Sequence, residues 1–231
     1  MSDRMPDKER KTVLPTIFQA VNKNALILAI FALVSTGLIA VTHLLTKDKI
    51  AKEIELSLIR QLSQIVPKDK YTNDVYQDCV LVADPNLLGG SDRQKLYRMR
   101  NDDKNFGLMI TTIAPDGYSG KITLALATSV KGNILGVNIL SHNETPGLGD
   151  KIERNKSSWL EQFVGFSLSN SEEKDWAVRK DGGRFDALTG ATITPRAVVN
   201  SIYKGLVYLE TNNKVLFDSQ SNCYEIAGNN Q

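Results

Sequence analysis

DGGRFDALTGATITPR, residues 181–196, ends where a helix is predicted to begin. Thr194 is a good N-cap and Pro195 suits a first helical position. Val198, Val199, Ile202, Leu206 and Leu209 then recur as one apolar stripe, so the helix is expected from Pro195 to about Glu210. The first turn of a helix has unpaired N–H groups and a positive dipole end. Gly190 lets the backbone approach a ligand. Thr189, Thr192 and Thr194 offer three hydroxyls, so a phosphate could be held here without a lysine. The stretch lacks the G-x-x-x-x-G-K-[ST] spacing of a Walker loop. From these residues alone, a plain capped loop is the alternative.

Upstream, a run of short strands is expected: Cys79–Val82, Leu96–Arg100, Leu108–Ile113, Lys121–Val130 and Ile134–Ser141. Asp84-Pro85, Gly89-Gly90, Pro115-Asp116-Gly117 and Lys131-Gly132-Asn133 separate several of them with turn chemistry. The last turn predicts a hairpin. Ser157-Ser158 is placed to cap a short helix carrying Trp159, Leu160 and Phe163. The fold class is α+β, with a mainly antiparallel sheet and flanking helices.

At the other end, Ala25 to Leu45 is 21 residues without Lys, Arg, Asp or Glu. About 20 such residues cross a bilayer core as a helix. Ser35, Thr36 and Thr42 can bond back to their own helix, and His43 sits within a turn of the end. A signal peptide and a buried core helix are the alternatives. The run exceeds a typical h-region and no A-x-A-like site closes it, which favours an uncleaved anchor. Ile50, Ile54, Leu58, Leu62 and Ile65 continue at helical spacing up to Pro67. Four basic residues flank the span on each side within 20 positions, so the positive-inside rule is tied, with Arg4 tipping it toward a cytoplasmic N-terminus.

The 231 residues carry 28 Lys+Arg against 26 Asp+Glu, and residues 25–231 hold 23 of each sign. A neutral body lacks the basic footprint of nucleic-acid binding, so no nucleic-acid partner is expected. Two histidines exclude a multi-histidine metal site, and two cysteines do not make a disulfide scaffold.

Asp186-Ala187-Leu188-Thr189-Gly190-Ala191-Thr192 resembles the D-x-x-[ST]-G-A-T flavinylation signature of the FMN-binding domains found in the Rnf electron-transport complex and in sodium-pumping NADH:quinone reductase. Ser141–Asp150 contains His142-Asn143-Glu144-Thr145-Pro146-Gly147-Leu148-Gly149-Asp150, similar to the H-x-E-T-P-G-L-G-D segment of the family of Rnf G subunits. Pro115–Gly120 looks like that family's P-D-G-Y-S-G turn, and Trp176–Gly183 like its W-A-V-x-K-D-G-G run, with Arg179 at the variable place. Thr189 to Val199 (T-G-A-T-I-T-P-R-A-V-V) favours the Rnf family over its quinone-reductase relative.

The resemblance implies an FMN phosphoester on Thr192, attached by a separate flavin transferase. Thr189, Gly190, Ala191, Thr194 and Asp186 would then surround it. Glu144 and Thr145 would supply polar contacts to the ring edges, Gly147 and Gly149 would let the main chain approach the ring closely, and Leu148 would cover its face. His142 is more simply read as structural. The implied protein is an electron-carrier subunit of an ion-translocating complex, without independent catalysis. Its partners would be the other Rnf subunits and the bacterial inner membrane. The implied organisation is a cytoplasmic tail at 1–24, a span at 25–45, an amphipathic connecting helix at 46–70, a periplasmic FMN-binding domain at 71–226 and a frayed tail at 227–231. In an oxidising periplasm Cys79 and Cys223 would pair if they meet in space. Two rivals stand beside this reading: the equivalent quinone-reductase subunit, and a non-redox anchored binding or assembly module on the same fold.

Overall fold

A computed structural model describes residues 7–102 and 104–223. The expected frayed end at 227–231 lies outside the described residues, as do the side chains of Ile54, Leu58 and Leu62. The chain divides into two compact units, residues 1–58 and 59–231.

The described part of the first unit lies within helix α1, Asp7–Ile65. Asn24–Lys47 is long and apolar enough to cross a membrane, with mean hydropathy 2.5, and none of it is buried. Leu28, Phe31, Leu33, Ile39 and Leu45 all face outward. Water would penalise that surface and a hydrocarbon layer would not. The Thr42 hydroxyl donates back to the Leu38 carbonyl at 2.8 Å, which removes its cost in lipid.

The second unit is an antiparallel meander in the order β1-β2-β3-β4-β5. The strands are β1 Cys79–Val82, β2 Gln94–Asn101, β3 Lys104–Ala114, β4 Ile122–Ser129 and β5 Ile134–Ser141. A one-turn helix, α2 (Pro85–Leu88), follows β1, its N-cap Asp84 accepting from the Asn86 and Leu87 N–H groups. The outer two strands match their sequence reading. Strands β2 and β3 run further because Asn101 pairs with Lys104 across a hairpin tip, where Asp102 takes φ +46°. That polar tip reads as loop in sequence, yet Asp tolerates the left-handed turn it needs.

Period-2 alternation splits the sheet between two cores. Leu96, Leu108, Ile110, Leu124 and Leu126 face the larger core, together with Val198, Val199, Ile202 and Leu206 of the long helix α3, Ile193–Asp218. Tyr97, Met99, Met109, Ala125 and Ala127 face the opposite way, against Ile65, Val66 and Val75. Cys79 and Cys223 join in a disulfide on this second face, across a sequence separation of 144. In the loop-entropy account such a closure contributes about 4–5 kcal/mol.

Helix α3 differs at both ends from the expected span of Pro195 to Glu210. It starts at Ile193 with Thr192 as N-cap, because the Thr194 side chain turns to Glu144 instead of capping the helix. Pro195 is tolerated in the first turn, where no intrahelical donor is required. At the far end the helix runs through Asn212-Asn213 to Asp218, since Leu216 and Phe217 are buried.

Arg98 fastens that far end. The side chain is 3% exposed and pairs with Asp78 at 2.6 Å. It also donates to the carbonyls of Leu216 and Phe217 at 3.2 and 3.3 Å and to the Ser219 carbonyl. Arg100 donates to the Phe217 carbonyl at 3.0 Å and shares Asp78 at 2.7 Å. Two guanidinium groups thus satisfy the helix's terminal carbonyls and complement its negative dipole end. Removing one partner of a buried pair leaves the rest uncompensated. Arg98→Leu is therefore expected to cost about 3–5 kcal/mol, read from urea unfolding followed by circular dichroism.

Candidate functional site

Three segments meet at the N-terminus of α3: the turn after β3, the loop after β5 and the loop leading into the helix. They enclose a cleft of about 260 Å³. Tyr118 comes from the first, Glu144, Thr145, Leu148 and Gly149 from the second, and Gly190 to Thr194 from the third. Of the residues predicted for the site, Glu144, Thr145, Leu148, Gly190, Ala191, Thr192 and Thr194 therefore share one cleft. Thr189, Gly147 and Asp186 do not line it. Gly149, expected to let the main chain approach the ring, does line it, as does Ile193, for which the sequence reading had no site role.

The mouth is apolar and open. Tyr118 is 65% exposed, Leu148 41% and Ile193 44%. Large apolar side chains held in water beside a helix N-terminus suit a flat aromatic ligand that covers them while its anionic end meets the dipole. Gly190 makes room for one, with φ +81° and a position where a Cβ would lie 2.8 Å from the Leu148 side chain. Thr192, as N-cap, makes no side-chain capping hydrogen bond, so its hydroxyl is not spent on its own helix. Compared with about 300–1,000 Å³ for enclosed ligand sites, this cleft would hold part of a flavin ring and leave part exposed. These residues fit a tethered flavin phosphate.

Behind the mouth, Glu144 is 4% exposed. One carboxylate oxygen accepts from the Ser119 N–H at 3.0 Å, and the other accepts from the Thr194 hydroxyl. The carboxylate therefore joins all three segments, and its oxygens are engaged by protein groups. A Cβ on Gly149 would lie 2.9 Å from the Thr194 hydroxyl and 3.0 Å from the Glu144 side chain, so this close approach requires glycine.

His142 does not line the cleft. Its Nδ1 accepts the Glu144 N–H at 2.9 Å, so Nε2 carries the hydrogen toward Glu153, also at 2.9 Å. Lys156 bridges Glu153 at 2.6 Å and Asp150 at 2.9 Å. The Lys156 ammonium, then the Gly147 N–H, holds the Asp150 carboxyl below its usual range. Lys156, then His142, does the same for Glu153. This cluster shapes the loop from behind.

The third segment is held by residues whose role the sequence did not reveal. The Asp186 N–H donates to the Gln162 side-chain oxygen at 2.6 Å, and the Asp186 carbonyl accepts from the Trp159 indole at 2.6 Å. Trp159 and Gln162 sit three apart on a short 3₁₀ turn, Trp159–Phe163. That spacing is the one signal available, and it equally describes an ordinary surface residue. The Asp186 carboxylate points outward to Arg179 at 2.8 Å. Arg196, in the first turn of α3, pairs with Asp181 at 2.5 and 2.6 Å, which neutralises a cation at the wrong end of the dipole.

Asp150 and Glu153 ionise at lower pH when folded than when unfolded, so the unfolded chain binds more protons in acid. Their stabilisation is present above the ordinary carboxylate range and is lost as pH falls through the folded values. Lys156→Met removes the shared ammonium. It should flatten the acid limb of stability, measured by urea unfolding from about pH 7 to about pH 3.

Comparison with known proteins bears on the same segments. The FMN-binding domain family matches residues 117–207, and the RnfG N-terminal region matches residues 13–65. The G subunit of the ion-translocating oxidoreductase complex of Vibrio atlanticus is 44% identical over 207 residues, covering 90% of this chain and 99% of the relative. That of Aliivibrio fischeri is 42% identical over 201 residues, covering 87% and 96%. The crystal structure of Shewanella oneidensis NqrC aligns at 22% identity and a TM-score of 0.44 over 66% of this chain and 74% of that one. With its N-terminal region and its cleft segments both matched, the chain belongs to the family of G subunits of the ion-translocating oxidoreductase complex.

Proposed function

We propose that this chain is an electron-carrying subunit of an ion-translocating Rnf complex, with FMN joined to the Thr192 hydroxyl by a phosphoester. The observation that carries this reading is the position of Thr192. It is the N-cap of α3, makes no capping bond and lines a cleft walled by Leu148 and Tyr118. A phosphate on its oxygen would accept from the free N–H groups of Ile193 and Thr194, while Pro195 has no N–H to leave unpaired. Leu148 and Tyr118 would cover the ring.

Attachment would be the work of a separate flavin transferase. The Thr192 oxygen would bond to the flavin-side phosphorus of FAD, AMP would leave, and the hydroxyl proton would be released. Thr192 afterwards is linkage, not a reacting group. FMN takes up electrons in pairs and passes them on singly, which suits a relay between unlike partners. A covalent tether keeps it at high effective concentration beside a half-open cleft.

The same reading puts Asn24–Lys47 in the inner membrane as a single anchor with a cytoplasmic N-terminus. The domain from about residue 71 would lie in the periplasm, where the Cys79–Cys223 disulfide persists. The N-terminal match of residues 13–65 supports the Rnf assignment over a quinone-reductase one. Full-length protein made together with flavin transferase, denatured and run on a gel, should fluoresce under ultraviolet light. Thr192→Ala should leave the band dark. A dark wild-type band would refute the flavin carrier and favour an anchored binding module.

A further inference from the structure

We infer that Glu144 sets the electron affinity of the cleft, as a buried negative charge that holds the midpoint potential of a bound flavin down. This rests on the FMN reading above and adds a role for a residue whose oxygens are both engaged by the protein.

A buried carboxylate is expensive unless it is paired with a cation or fully hydrogen-bonded. Glu144 is 4% exposed, and among the described residues it forms no salt bridge. Its partners are a backbone N–H from Ser119 and the Thr194 hydroxyl, both neutral donors. Both oxygens accept, which is the pattern of an ionised carboxylate. The other charged groups nearby do not neutralise it. Lys156 is shared between Asp150 and Glu153, and His142 accepts the Glu144 backbone N–H. Arg196 is committed to Asp181 in a bidentate pair.

A mere clip between loops could use neutral side chains. Glutamine in the same place could accept from Ser119 with its oxygen and donate to the Thr194 oxygen with its amide. What the carboxylate has beyond glutamine is its charge, standing in the wall of the cleft that Leu148 and Thr192 also line. Charge beside a flavin is one of the means by which a protein tunes it. Taking up two electrons with one proton adds net negative charge to the ring, and a fixed negative group in a water-poor wall opposes that. Thr194 moderates the effect, because its hydroxyl dipole partly offsets the carboxylate.

The charge and the clip separate experimentally. Wild type, Glu144→Gln and Thr194→Val, each full length and made with flavin transferase, are first checked by intact mass for the added riboflavin phosphate. The flavin absorbance is then titrated with dithionite in the presence of redox mediators. Glu144→Gln keeps the contacts and loses the charge. Its midpoint should rise by about 30 mV, a factor of about ten in the equilibrium constant of the two-electron couple. Thr194→Val keeps the charge and removes a donor that offsets it, so its midpoint should fall.

An unchanged or lowered midpoint in flavin-loaded Glu144→Gln overturns the inference, as does a folded Glu144→Gln chain that takes up no flavin. If that variant does not fold, Thr194→Val decides alone: a lowered potential supports the charge, and an unchanged or raised one overturns it. A wild-type chain with no added mass refutes the FMN reading itself, and is distinguished before any potential is measured.

Discussion

One buried carboxylate holds the candidate site together. Glu144 accepts from the turn after β3 through Ser119 and from the start of α3 through Thr194, while its own N–H is fixed by His142. Through it, three segments from distant parts of the chain meet in one cleft. The cost of burying it is offset by a hydrogen bond to each oxygen, and Gly149 is the concession in sequence that lets Thr194 and Glu144 touch. The start of α3 at Ile193, with Thr192 as its N-cap, follows from this contact.

The rest of the second unit braces α3 so that its N-terminus can be built so exactingly. The helix lies against the larger core of the meander, and Arg98 and Arg100 take its last carbonyls. Its N-terminal end is tied sideways by the Arg196–Asp181 pair and by the loop that Trp159 and Gln162 clamp at Asp186. A rigid spine with a satisfied far end leaves its free N–H groups at one place, where an anion would be most stabilised.

Much of this was legible in the residues. Runs of β-branched and aliphatic residues between turn residues marked the strands, and Lys131-Gly132-Asn133 marked the β4–β5 hairpin, with Ser129 pairing near its tip. The motif at 186–192 and the segment at 142–150 pointed to the same cleft. Local signals failed where a distant partner decides. Thr194 reads as an N-cap, yet its hydroxyl goes to a carboxylate 50 residues away, and the helix starts earlier as a result. The apolar stripe of α3 reads as ending near Glu210, yet Leu216, Phe217 and two arginines from β2 carry the helix on to Asp218. Gln162 carries no local mark of its hold on Asp186. Periodicity reports the elements, whereas such cross-chain hydrogen bonds appear only once the elements are packed.

In the function proposed above, a single oxygen atom carries the flavin, that of the Thr192 hydroxyl, which makes no capping bond and lines the cleft. Its modification is open to direct chemistry, because cleavage after Arg184 and Arg196 releases Phe185–Arg196 with all three candidate threonines. Mass spectrometry of that peptide, from protein made with flavin transferase, is predicted to show one riboflavin phosphate, localised to Thr192 by fragmentation. An unmodified peptide, or flavin on Thr189 or Thr194, would contradict the account.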